Sequence, residues 1–279
     1  MRFGLCGRGA VLGVICALSS VFQGCTDNSV RLTLTDAKIS MPEPAHVTGS
    51  ARKLSDGGNA AVSAMYEARA QGSIHSYSVN DDSINARFRA PGGVLDCSFD
   101  YARKNENFAF FTGGGMRSLS GFGYFGIGMN TDNFELGSAI SVDFIQVKAS
   151  YAGYTERETV DFSFDGGVGT GTTVRDTVGI SENYLLGYGG ISLFASGYWN
   201  DIAFTYALTF SEGSGINSVT YNGEDFKTDV DVPAFLIHDF GISYTYDRKV
   251  QVGLGASRYS AFGTGGKIYS VNGRVAYLW

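Results

Sequence analysis

Chemistry, if this chain performs any, has few places to reside. Its 279 residues include only three histidines and four cysteines. His238 stands beside Asp239, with Asp229 and Asp231 a few positions earlier. A histidine paired with carboxylates could activate a water as a general base. On a β-strand, however, neighbouring residues point to opposite faces, so His238 and Asp239 would not share one site. His46 and His75 have no cysteine or second close histidine at metal-ligand spacing and read as solvated surface residues. There is no Gly-x-Ser-x-Gly elbow to present a nucleophile. The glycine clusters Gly113–Gly115, Gly166–Gly171 and Gly263–Gly266 are not followed by Lys-Ser/Thr and a helix, so they read as bends and loops, not phosphate cradles. No catalytic residue, metal ligand or cofactor is assigned, and the chain is read as non-enzymatic.

The elements that would carry these residues are strands. Glycine supplies 39 residues, tyrosine 16 and phenylalanine 20, while proline supplies four, three of them before residue 92. That balance suits strand-rich structure with tight bends. From residue 92 onward apolar and small or polar residues alternate. The clearest run is Ile202, Phe204, Tyr206, Leu208 and Phe210, separated by Ala203, Thr205, Ala207 and Thr209. Similar runs centre on Leu95–Tyr101, Phe134–Phe144, Phe240–Tyr246 and Val250–Leu254. The polar set is mainly Ala, Gly, Ser and Thr with scattered charges, among them Asp96, Asp100, Asp143, Lys148, Asp161 and Arg274. Small residues with isolated charges suit the lumen of a narrow barrel, with the Phe, Tyr, Val, Ile and Leu set facing lipid. A secreted sandwich would alternate too, but its outward face would carry more charge.

The final stretch, Lys267 to Trp279, puts Tyr269, Val271, Gly273, Val275, Tyr277 and Trp279 on one face. It resembles the C-terminal signal of bacterial outer-membrane β-barrels, with Gly273, Val275, Tyr277 and Trp279 in the motif's positions. The resemblance implies a closed, antiparallel, up-and-down transmembrane barrel of about ten strands (eight to twelve). Short turns are expected at Trp199–Asp201 and Tyr246–Lys249, and also near Phe144–Gln146 and Arg117-Ser118. Longer connections are expected at 165–183 and 211–232, with a medium one near 260–266. Short periplasmic turns and long outer loops are the asymmetry of such barrels. Tyr198, Trp199, Tyr246, Tyr277 and Trp279 then form a periplasmic aromatic girdle. A ten-stranded outer-membrane protease family places Asp–His and acidic pairs at its outer rim, which the region of His238 resembles, but alternation separates His238 from Asp239.

The N-terminus reads as a secretory signal: Arg2 and Arg8, an apolar run to Leu18, then small residues. Val21-Phe22-Gln23-Gly24-Cys25 resembles a lipoprotein cleavage box, which implies acylation of Cys25. Ordinary cleavage near Ala17–Ser19 is the alternative, and would allow a Cys25–Cys97 disulfide. The expected organisation is a signal over 1–24, a periplasmic segment over 25–91 with one short helix near Asn59–Ala70, and the barrel over 92–279. A plug formed by the middle segment is the alternative to a periplasmic linker. The acidic balance, net −6, argues against nucleic-acid partners. Outer-membrane lipids and the barrel-assembly and lipoprotein-processing machineries are the expected partners, with no extracellular partner identified. A structural or surface-interaction barrel is the leading functional expectation. A narrow solute channel is the alternative, and a soluble lipid-anchored ligand-binding β protein a further one.

Overall fold

In a computed structural model, residues 27–40, 44, 57–69, 73–77, 84–118, 120–160, 172–262 and 266–279 are described. They form fifteen strands: β1 Asp27–Ser40, β2 Gly57–Arg69, β3 Ser73–Tyr77, β4 Asn85–Arg89, β5 Gly93–Asn105, β6 Phe108–Arg117, β7 Ser120–Asn130, β8 Phe134–Val160, β9 Thr172–Trp199, β10 Ile202–Gly213, β11 Ile216–Tyr221, β12 Glu224–Val230, β13 Phe235–Tyr246, β14 Val250–Ala261 and β15 Lys267–Leu278. Ten of them close a ring in the order β2, β5, β6, β7, β8, β9, β10, β13, β14, β15, with β15 pairing back to β2. Closure leaves no free edge among these ten strands, which a membrane requires.

Four tight connections lie at one end: Glu106-Asn107, Thr131–Asn133, Asn200-Asp201 and Asp247–Lys249. Glu106, Asn200, Asp247 and Arg248 take positive φ there, as reversals this short demand. Gly57 and Trp279 lie at the same end, with Trp279 and Ala60 exchanging backbone hydrogen bonds. By the usual asymmetry this is the periplasmic end, called lower below.

The outer wall is apolar. Phe99, Phe110, Phe125, Ile140, Leu193, Phe240, Leu254 and Val271 all project outward and are 50% exposed or more. An apolar belt around a closed barrel has no place in water, so this is an outer-membrane β-barrel. On β8 the belt runs from Phe134 through Leu136, Ile140 and Val142 to Phe144, about the 9–11 residues needed to cross. Beyond it the same residues stay inward and outward, but the chemistry of the two faces is exchanged. Ile145, Val147, Ala149 and Tyr151 are buried, while Gln146, Lys148 and Ser150 are exposed.

Several expectations change. The helix foreseen near Asn59–Ala70 is strand β2, a wall element between β15 and β5. Its small residues had suggested a helix, but pairing on both edges overrides propensity, and Ala61 and Ser63 line a narrow lumen. The wall therefore starts at Gly57, not 92. No turn occurs near Phe144–Gln146, because β8 continues to Val160. The Arg117-Ser118 turn exists, but at the upper end. Part of the foreseen loop 165–183 is β9 from Thr172, and 161–171 and Cys25 lie outside the described residues. The 211–232 connection holds the β11–β12 hairpin around Asn222-Gly223. Lys148 points outward, not into the lumen, and Asp161 lies outside the described residues.

The middle segment is not simply a periplasmic linker. β1 joins β8, β4 runs parallel to β1, and β3 pairs with β4. Ala37, Ile39, Ala86 and Phe88 are at most 2% exposed, and Pro44 is buried. The Pro44 carbonyl accepts from Arg117, whose side chain enters the lumen near the upper end. Residues 35–152 and 179–279 form one compact unit that holds all of these contacts. The described residues 27–34, 153–160 and 172–178 form a second unit. Within it Gly153 packs on the Thr33 carbonyl, and Arg175 pairs with Glu156 at 2.5 Å while lying 4.0 Å over the Tyr154 ring.

Candidate functional site: the barrel lumen

Alternation sends every second residue of each wall strand inward, and these side chains sort into three zones. In the upper zone Arg117 holds both carboxylate oxygens of Asp96. Nε lies 3.0 and 3.1 Å from them and Nη2 lies 2.8 Å from Oδ2. Its remaining nitrogen, Nη1, donates to the Pro44 carbonyl at 3.0 Å. Glu67 sits alongside, accepting from Arg69 at 3.2 Å, from Tyr259 at 2.7 Å and from Ser270. Arg117 also approaches Glu67 at 3.5 Å. All these side chains are buried. Buried charges persist only when paired and hydrogen-bonded, and this two-acid, two-arginine layer meets that condition.

Below it lies a cavity of about 120 Å³. It runs from beneath Asp96 and Arg117 to Ser243 and Gln251, the latter one residue into β14 from the lower turn. One wall carries Arg274, which donates to Asp100 at 3.2 Å and to Ser63 at 3.1 Å. Asp100 also accepts from Tyr124 and Ser98. The wall beside it on β14 and β13 is bare at three positions: Gly253 is the direct cross-strand partner of Arg274, and Gly255 next along β14 pairs with Gly241. A Cβ on Gly241 would approach only a carbonyl at 3.8 Å, so open space lies over that position.

The third zone is apolar and lies toward the lower end of β5–β10. Ala102, Ala109, Phe111, Ala139, Phe194 and Ala207 pack together, with the Phe111 and Phe194 rings 5.2 Å apart and nearly perpendicular. Each ring lies on a glycine. A Cβ on Gly126 would fall 2.1 Å from Phe111, and one on Gly137 would fall 2.4 Å from Phe194. Large rings beside glycines fill this side of the lumen and leave the Arg274 side open.

His238 points outward and contacts Tyr206 through Nδ1 at 2.9 Å, whereas Asp239 is buried on the lumen face. The pair does not converge on one site. Among the described residues no group of three His, Cys, Asp or Glu side chains is placed to hold a metal. Cys97 is an exposed free thiol on the outer face of β5. Trp199, Tyr246, Tyr277 and Trp279 are outward and more than half exposed at the lower end, and the Tyr277 and Trp279 rings lie 5.9 Å apart. Tyr198 departs from the expected girdle. It is inward and 8% exposed, donating to Glu135 at 2.5 Å. Adjacent strand residues face opposite sides, so it could not share the outer face with Trp199. Sequence reasoning missed the upper ion layer because Glu67 and Arg69 lay in the stretch read as helix. It also missed Pro44, whose contact is through its backbone.

No family model matches the chain, and no curated protein matches it. Several solved structures align with it. The COG4313 outer membrane channel from Pseudomonas putida F1 aligns over 84% of this chain and 100% of that one, at 11% identity and TM-score 0.38. The Pseudomonas putida toluene transporter TodX aligns over 81% and 90%, at 7% identity and TM-score 0.34. The translocator domain of autotransporter NalP from Neisseria meningitidis aligns over 79% and 88%, at 13% identity and TM-score 0.34. Likenesses this distant transfer neither ligand nor mechanism.

Proposed function

We propose that this protein is a non-enzymatic outer-membrane barrel that conducts small polar solutes through a narrow lumen. The described conformation is its closed state. The observation that supports this most is the cavity lined by the Arg274–Asp100 pair and the neighbouring glycines Gly241, Gly253 and Gly255. A barrel of ten strands can fill its interior with side chains completely. This one fills the β5–β10 side with Phe111 and Phe194 and leaves out side chains at Gly241, Gly253 and Gly255 on β13 and β14. Paired charges beside open space let a hydrated polar solute exchange water for protein contacts. Above the cavity, the ion layer and the Pro44 contact close the path. Purified protein in planar bilayers is expected to show discrete conductance steps. Silence from the wild type, and from a variant in which the upper contact is broken, would return the assignment to a structural or surface-interaction barrel.

In this reading the protein is also a lipoprotein. The resemblance of Val21-Phe22-Gln23-Gly24-Cys25 to a lipoprotein cleavage box supports acylation of Cys25, and Trp199, Tyr246, Tyr277 and Trp279 act as the periplasmic girdle. Cells fed labelled palmitate should incorporate it into the wild type and not into Cys25→Ala; label retained by the variant would remove the lipid anchor from the proposal.

A further inference from the structure

On three adjacent strands the outward apolar run is broken by a nitrogen-bearing side chain, with Leu236 and Phe210 outward above His238. Going up from the lower turns, β13 presents Tyr246, Tyr244, Ile242 and Phe240, then His238. β14 presents Val250, Val252 and Leu254, then Ala256 and Arg258. β15 presents Trp279 through Tyr269, then Lys267. Register brings these ends together. His238 is directly opposite Arg258, Arg258 is opposite Tyr269, and Lys267 is opposite Ser260, two residues above Arg258. Directly opposed residues on one sheet face sit about 5 Å apart at Cβ. Arg258 and Lys267 are exposed, and neither forms an ion pair among the described residues. Aromatic rings flank the group: Tyr206 bonds His238 at 2.9 Å, and Phe210 and Phe262 meet at 5.7 Å.

We propose that Arg258, Lys267 and His238 form a docking site for the phosphate of a phosphorylated glycolipid in the outer leaflet. The position carries the argument. The group sits where charge first breaks the lipid-facing belt, toward the end opposite the short turns, at headgroup depth among the aromatic rings. Unpaired cations there meet lipid headgroups before any soluble partner, and aromatic flanks suit that interface. Arginine forks onto phosphate oxygens, and lysine adds a point charge. The overall chain is acidic at −6, so this basic patch is local and not part of a general positive surface. The inference depends on the membrane position and not on whether the lumen conducts.

The test uses full-length protein in detergent, titrated by native mass spectrometry with bisphosphorylated lipid A and with its dephosphorylated form. Wild type should prefer the phosphorylated lipid by about thirtyfold, from roughly fivefold per cation at an anionic surface. R258A/K267A should lose that preference, K249A at the lower turn should keep it, and both should retain the heat-dependent gel shift of a folded barrel. Inorganic phosphate at the same concentration should not displace the lipid. Equal binding of both lipids by wild type, a preference that survives R258A/K267A, loss of it in K249A, or displacement by phosphate alone would each overturn the proposal.

Discussion

Arg117→Ala is the sharpest probe of the closed state. In wild type this side chain joins two parts of the molecule: three close contacts bind it to Asp96 on the wall, and Nη1 binds it to the Pro44 carbonyl at 3.0 Å. A hydrogen bond from a charged donor contributes about 1.5–3 kcal/mol. At 1.4 kcal/mol per factor of ten, losing the Pro44 contact should raise the open population roughly 10- to 150-fold. A second effect has the same sign. Asp96 is left buried without its main partner, at a cost of about 3–5 kcal/mol. Water entering on opening relieves that cost, so opening is favoured further. Open probability in planar bilayers reads the result directly. The double variant Arg117→Ala/Asp96→Asn separates the two effects. It removes the stranded charge and should recover much of the lost resistance to urea, yet it lacks the Pro44 contact and should still open more often than wild type. An unchanged open probability in folded Arg117→Ala, or a return to wild-type gating in the double variant, would refute the latch.

Three further outcomes follow from the lumen. Gly241→Leu should fold normally, because a Cβ there meets nothing closer than 3.8 Å, and should lower single-channel conductance by projecting into the cavity. Unchanged conductance would place the path elsewhere. Gly126→Ala should lower stability by about 1–3 kcal/mol, since its Cβ would fall 2.1 Å from Phe111 and 2.7 Å from the Ser138 carbonyl. Urea titration in lipid vesicles reads this, and pairing it with Phe111→Leu should restore part of the loss. Glu67→Ala should cost about 3–5 kcal/mol, because Arg69, Tyr259 and Ser270 all lose their shared acceptor; an unmoved urea midpoint would mean the layer is not a coupled unit.

Most of the wall was legible because period-2 alternation is dictated by lipid on one side and a small lumen on the other. Ile202–Phe210 and the terminal strand show it without interruption. The reading failed on β2, where small residues mask the alternation. Val62, Ala64 and Tyr66 on β2 do face outward, but Ala60–Ala61 and Ala68 dilute the pattern to one that a helix would share. Tyr198 was misassigned for a different reason. Its composition fits a girdle, and only phase relative to Trp199 separates a lipid-facing ring from one bonded to Glu135. The cavity could not be foreseen at all. It depends on Gly241 lying opposite Gly255, a pairing between strands whose register no local pattern specifies.

The turn expected near Phe144–Gln146 has a further physical cause, an exchange of chemistry between the two faces of β8. Up to Phe144 the apolar parity faces outward, because the solvent there is hydrocarbon. From Ile145 the inward, odd-numbered parity stays the same but turns from polar to apolar, and the outward parity turns polar at Gln146, Lys148 and Ser150. A continuous strand cannot rotate its side chains by one residue, so the surroundings must have exchanged sides: water outside, protein inside. The inside protein at this height includes Ala37, Ile39, Ala86 and Phe88, which need an apolar partner and are themselves almost fully buried. Read from sequence, the exchange looks like a turn. In the folded chain it marks the upper limit of the membrane and the level at which the N-terminal strands begin to fill the barrel. The same boundary explains why the belts of β13, β14 and β15 are first broken at His238, Arg258 and Lys267, since each strand must change its outward chemistry where hydrocarbon ends.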